Sequence, residues 1–138
     1  MTCLETYLSS AYINTVISKP QNLKKFYETF LDFQKEKVTL SKLYELKDKT
    51  EEIAKQAMHK VLYHNLDKVN AMFKDTFDIH LPDFSELTKA IETRHDIVHR
   101  NGFTKDGEVI VITQNDITEL VEMTEKFVSD LDIKINKL

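Results

Sequence analysis

The chain has 138 residues but only two glycines and two prolines, and that scarcity constrains its fold more than any other feature. Glycine and proline are the usual interrupters of regular backbone, one through its freedom at positive φ, the other through its missing N–H. With so few of them, the chain consists of long unbroken segments, which suit helices. Each interrupter stands where a break is plausible. Pro20 closes a first amphipathic stretch and Pro82 precedes another. Gly102 follows "RHDIVHRN", and Gly107 forms an Asp-Gly pair.

Apolar periodicity agrees. Between Thr50 and Phe77, apolar residues recur at Ile53, Ala57, Val61, Leu62, Leu66, Val69 and Phe73, the spacing of one helical face. Thr50, followed by Glu51 and Glu52, is a reasonable start, because carboxylates favour the positive end of the helix dipole. Phe84, Leu87, Ile91 and Val98 share a face of a further helix, which Asp83 can cap and Gly102 can end. Near the C-terminus, Ile117, Leu120, Val121, Thr124, Val128 and Leu131 line one face, and Asp116, Glu119, Glu122 and Glu125 another. Thr113 with Asp116 resembles a capping box there. The exception is "KDGEVIVIT", whose β-branched run Val109 to Ile112 follows an Asp-Gly turn and predicts a short strand or extended arm paired with Phe103 and Thr104. The expected fold class is all-α: a bundle of about five helices with a short extended or β insertion before the last, in a single domain over residues 1–138.

Composition limits the function. No apolar run approaches the ~20 residues that span a bilayer, and "MTCLETYLSS" has no basic region of the kind that opens a signal peptide. Cys3 is the only cysteine, so neither an internal disulfide nor a cysteine zinc cluster is available, and a reducing cytoplasm is the expected location. The net charge of −4 gives no global basic field, so phosphate must be bound locally. The apolar pattern is already running at Cys3 and Leu4 with no cap beyond Thr2. That fits a segment of a longer protein; a native start fits equally.

The chemistry concentrates in "RHDIVHR", Arg94 to Arg100. This stretch holds the only two arginines among 19 Lys and Arg residues, and two of the five histidines. Guanidinium is planar, always charged and bidentate toward phosphate, which gives a reason to use Arg where Lys serves elsewhere. Imidazole is a natural base for a ribose hydroxyl near neutral pH. His95 and His99, four apart, stack on one face, and Asp96 is placed to orient the His99 ring. Arg94 and His99 are five apart, which at about 100° per residue turns them about 140° from one another. One helix does not easily bring both to a single phosphate. Two copies across a twofold axis can, with Arg of one chain near His of the other.

"RHDIVHRNG" resembles the signature of HEPN-superfamily domains (higher eukaryotes and prokaryotes nucleotide-binding): Arg, a polar residue, a short spacer, then His near a helix C-terminus. Arg94, His95 and His99 match it. The wider pattern from "VLYHNLDKVNAMF" through "VIVITQNDITELVEMTEKFV" is similar to the RiboL-PSP-HEPN type. The likeness is good from Val61 to Ile135 and rests on helical character alone in the N-terminal third. "LETYL" is similar to the first-helix pattern of these domains, which usually have more helix ahead of it.

The resemblance implies a HEPN-like helical bundle that dimerises through the signature helices. It also implies metal-independent endoribonuclease activity of the toxin–antitoxin, phage-defence or RNA-processing kind. The expected partners are an RNA substrate, a second copy of the chain, and an antitoxin or larger parent protein. Arg94 would stabilise the transition state, His99 would be base or acid, and His95 would tune or position the pair. Asp96, Arg100 and Asn101 are supporting neighbours by position. One subfamily carries, two residues after the His, a Tyr that a partner nucleotidyltransferase modifies. Asn101 stands there in this chain, which therefore lacks the acceptor for that control.

The alternative is a non-catalytic HEPN module that binds RNA or nucleotide, or mediates assembly. His95 and His99 also have a reading as a two-histidine metal pair. No Cys is near and only Asp96 or Glu92 adds a carboxylate, so neither zinc nor another cofactor is expected. "YHN" at Tyr63 to Asn65 reads as helix surface, with a place lining the cleft as the alternative. The remaining Tyr and Phe residues read as core rather than as base-stacking platforms.

Overall fold

The computed structural model describes residues 2–138. Its contacts divide the chain into two compact units, Thr2–His80 and Leu81–Leu138.

The first unit contains α1 (Thr2–Ser18), α2 (Pro20–Thr29), α3 (Leu31–Gln34), α4 (Leu40–Leu46), α5 (Thr50–His59) and α6 (Leu66–Phe77), with a 3₁₀ turn at Lys47–Lys49 before α5. Pro20 occupies the first turn of α2, where its missing N–H costs nothing and Lys19 is already extended. α1 packs against α2 and α5, and α2 packs against α5 and α6. The core is aromatic at its centre. The Tyr12 ring meets the edges or faces of Phe26, Phe73 and Phe77 at centroid separations of 6.2, 5.2 and 5.3 Å, in the tilted geometry that ring quadrupoles favour. Leu8, Val16, Ala54, Met58 and Val69 are fully buried. The hydroxyl of Tyr12 shares a 2.7 Å hydrogen bond with that of Thr76. Burial pushes the Tyr12 phenol well above its ordinary pKa, and the Thr76 bond only partly opposes this.

The apolar spacing between Thr50 and Phe77 does not become one helix. Tyr63 turns into the core and donates its hydroxyl to the Met58 carbonyl at 2.9 Å. Asn65 then restarts the helix by accepting from the Lys68 N–H at 3.2 Å. "YHN" is therefore a connection with a buried ring and a cap, not helix surface. The periodicity is the same on both sides of the break, and the cap chemistry decides where it falls. α6 ends at Asp78, which takes a left-handed conformation at φ 57°.

The second unit contains α7 (Ser85–His99) and α8 (Gln114–Asn136), which pack together. Asp83 accepts from the Ser85 N–H at 3.0 Å and from its hydroxyl at 2.9 Å, which satisfies a donor at the start of α7. The capping box of α8 is complete: Thr113 N–H donates to Asp116 Oδ2 at 2.9 Å, and Asp116 N–H to Thr113 Oγ1 at 3.2 Å. Leu87, Phe127 and Leu131 are buried, whereas Ile117 and Val121 of the expected apolar face are exposed. Between the two helices, Phe103 and Val109 form one antiparallel bridge. This is the extended insertion, and no strand is named among the described residues. The protein is all-α. It has six helices of ten residues or more and two shorter ones among the described residues; the break at Lys19 falls where Pro20 predicts one, and the break at 60–65 splits what the apolar pattern joins.

Candidate functional site

α7 carries the signature in its last turns, where the helix leaves the core. Leu87 near its start is buried; Arg94, His95, Ile97, Val98 and His99 are all exposed. The helix stops at Arg100. Asn101 at φ 52° and Gly102 at φ 84° then both take left-handed conformations, so the reversal begins one residue before the glycine. Asparagine tolerates this region better than most residues.

The signature side chains form two pairs. The His95 and His99 rings lie 4.5 Å apart, centroid to centroid, tilted by 42°. Arg100 Nη1 donates to Asp96 Oδ1 in an i,i+4 ion pair. The second contact differs from expectation: Asp96 holds Arg100 rather than orienting His99. A guanidinium four residues on, with several donors, competes better for a carboxylate than an imidazole three residues on. Arg94 makes no hydrogen bond or ion pair among the described residues.

A cleft of about 510 Å³ opens beside one face of α7, lined by Ile91, Glu92, His95, Asp96 and Arg100, and closed by Thr104, Lys105 and Asp106 of the insertion. Arg94 does not line it. His95 therefore faces the cleft, His99 stands against His95, and Arg94 presents its guanidinium elsewhere on the helix. The His95 pKa is lowered by partial loss of hydration and then by its electrostatic neighbours His99, Arg100, Lys105 and Arg94, so near neutral pH its ring is biased toward the neutral form that accepts a proton. Sequence reasoning missed Lys105 and the insertion's role as a wall. The signal available was the "TKDG" turn directly after the signature.

Among the described residues, no three His, Cys, Asp or Glu side chains are grouped to hold a metal ion. His64, outside the signature, sits 3.9 Å from a Glu5 oxygen on the first unit's surface. No helix is long and apolar enough to cross a membrane.

No curated protein and no solved structure matches the chain. A family model described as RiboL-PSP-HEPN matches residues 1–137, including the N-terminal third, where the sequence likeness was helical character only. With an all-α fold and an Arg-polar-spacer-His stretch exposed at the end of α7, the chain belongs to the RiboL-PSP-HEPN family, a branch of the HEPN superfamily of RNase-like and RNA-related modules.

Proposed function

We propose that the protein is a metal-independent endoribonuclease whose active site is completed across a twofold dimer. The observation that carries the reading is the exposure of Arg94, with no hydrogen bond or ion pair among the described residues, five residues from His99 on one helix. A guanidinium held by no carboxylate keeps its donors for a phosphate. Within one protomer the helix turns Arg94 and His99 about 140° apart, so a second copy of α7 supplies the missing partner. The second unit exposes Val98, Phe103, Val111, Ile112, Ile117 and Val121, which is apolar surface suited to such an interface.

In this mechanism His99 accepts the proton of a ribose 2′-hydroxyl. The 2′-oxygen attacks the adjacent phosphorus and the bond to the 5′-oxygen breaks. That oxygen leaves with a proton from the imidazolium or from water. Arg94 holds the charge that accumulates on the phosphorane oxygens. The products are a 2′,3′-cyclic phosphate and a 5′-hydroxyl. His95 positions the His99 ring, Asp96 fixes Arg100, and Asn101 turns the chain out of the helix. A toxin, phage-defence or RNA-processing setting in the cytoplasm fits this chemistry, with an antitoxin or a larger parent protein as regulator. The non-catalytic module remains the second reading, favoured by the separation of Arg94 from His99 in one protomer.

Single-stranded RNA incubated with pure protein in EDTA tests the proposal. Cleavage leaving cyclic phosphate ends supports it. Cleavage that stops in EDTA and returns with zinc or magnesium makes His95 and His99 metal ligands instead. RNA binding without cleavage favours the module.

A further inference from the structure

The cleft beside α7 is adjacent to the proposed catalytic pair, yet its charges are wrong for a phosphate. Arg100 and Lys105 line it, but so do Glu92, Asp96 and Asp106. Asp96 is neutralised by Arg100. That leaves Lys105 against two carboxylates, Glu92 and Asp106, which make no ion pair or hydrogen bond among the described residues, an environment that repels a polyanionic backbone. It is well suited to a neutral group with hydrogen-bond donors on one edge and acceptors on the next.

The cleft is also built rather than incidental. Lys105 and Asp106 are the central pair of a turn in which Gly107 N–H donates to the Thr104 carbonyl at 3.0 Å and Thr104 N–H to the Glu108 carbonyl at 2.8 Å. Thr104 Oγ1 accepts from Glu108 N–H at 3.1 Å, and Gly107 takes φ 84°, where a side chain would be strained. Opposite the turn, Arg100 is oriented by Asp96, and the His95 ring offers a flat surface.

We propose that this cleft is a base subsite that selects guanine in the RNA. This rests on the ribonuclease reading and adds the base preference to it. Glu92 and Asp106 can only accept, and guanine alone among the RNA bases sets two donors, N1–H and the N2 amino group, side by side for one carboxylate. Arg100 and Lys105 only donate, and guanine O6 and N7 are the acceptors that Arg and Lys most often read. His95 supplies the stacking face. The phosphate of the same nucleotide stays outside the cleft, toward His99, where Arg94 of the second copy meets it.

The test is binding of RNA pentamers that differ only at the central base, measured by fluorescence anisotropy with the full chain carrying His99→Ala to prevent cleavage. A uridine pentamer with central guanine binds about ten-fold or more tightly than the same pentamer with adenine. Inosine, which lacks the N2 amino group, falls between them. Glu92→Gln with Asp106→Asn abolishes the preference while circular dichroism is unchanged. Equal binding of all three pentamers overturns the guanine subsite and leaves the ribonuclease reading standing. Stronger binding of every pentamer by the double variant, with no preference in either protein, shows a phosphate site instead. Failure to bind any of them removes both the subsite and the ribonuclease proposal.

Discussion

Arg94→Lys separates the two arginines most sharply. Arg94 is exposed and makes no ion pair or hydrogen bond among the described residues. Its replacement keeps the charge and breaks no hydrogen bond or ion pair among the described residues, so folding stability changes by less than ~0.5 kcal/mol. The catalytic cost is much larger. A lysine offers a point charge in place of two parallel N–H bonds to a phosphorane, and one such transition-state contact is worth ~3 kcal/mol, about two orders of magnitude in rate. Arg100→Lys behaves in reverse. Arg100 and Asp96 are 34% and 17% exposed and paired one helical turn apart. Loosening that pair costs stability on the order of 0.5–1 kcal/mol and reduces cleavage less than Arg94→Lys. Circular dichroism, urea midpoints and single-turnover cleavage of both variants make the comparison. Wild-type cleavage by Arg94→Lys together with an inactive, folded Arg100→Lys would refute the assignment of the phosphate clamp.

In the first unit, Thr76→Val strands the Tyr12 hydroxyl in the core and destabilises by ~1–3 kcal/mol, since Tyr12 is 1% exposed and its hydroxyl is bonded to that of Thr76 at 2.7 Å. Adding Tyr12→Phe recovers most of that loss, and a urea-denaturation cycle in which the two substitutions simply add would contradict the bond's role. Alkaline pH attacks the same core. Burial raises Tyr63 from 10.0 to about 12 and raises Tyr12 as well. The folded state thus binds phenolic protons more tightly than the unfolded chain, so this stability is fully present below pH 10 and falls as pH rises through about 12. Phenolate absorbance and helical circular dichroism, followed together, should show both tyrosines ionising with unfolding; their ionisation with the helices intact would contradict this.

The helical class, the capping box of α8 and the turn at Gly102 were legible because each follows from a local rule: few interrupters, a hydroxyl and carboxylate at a helix start, a glycine after a helix end. At α7 the N-cap is Phe84, and Asp83 bonds Ser85 from one residue further out. The break between α5 and α6 was not legible, because Leu62 and Leu66, four apart, keep the helical period across it. Only the burial of Tyr63 and the Asn65 cap reveal two helices. The exposed Ile117 and Val121 read as core for a similar reason: periodicity shows which residues share a face, not what covers that face. In the site, the divergence of Arg94 and His99 could be read from their spacing. The Asp96–Arg100 pair and the cleft wall at Lys105 could not, because the first is a competition between two neighbours and the second depends on where a tight turn folds back.

Mixing two inactive variants tests the central claim most directly. Arg94→Ala and His99→Ala are purified separately, mixed, dissociated and reassociated, then assayed for RNA cleavage in EDTA. If Arg of one protomer acts with His of the other, each mixed dimer contains one complete site and one empty of both groups. Half the dimers are mixed, so activity returns to roughly a quarter of wild type. Variants that exchange subunits, shown by a size or fluorescence label, yet stay inactive together would contradict a site shared between two copies of α7.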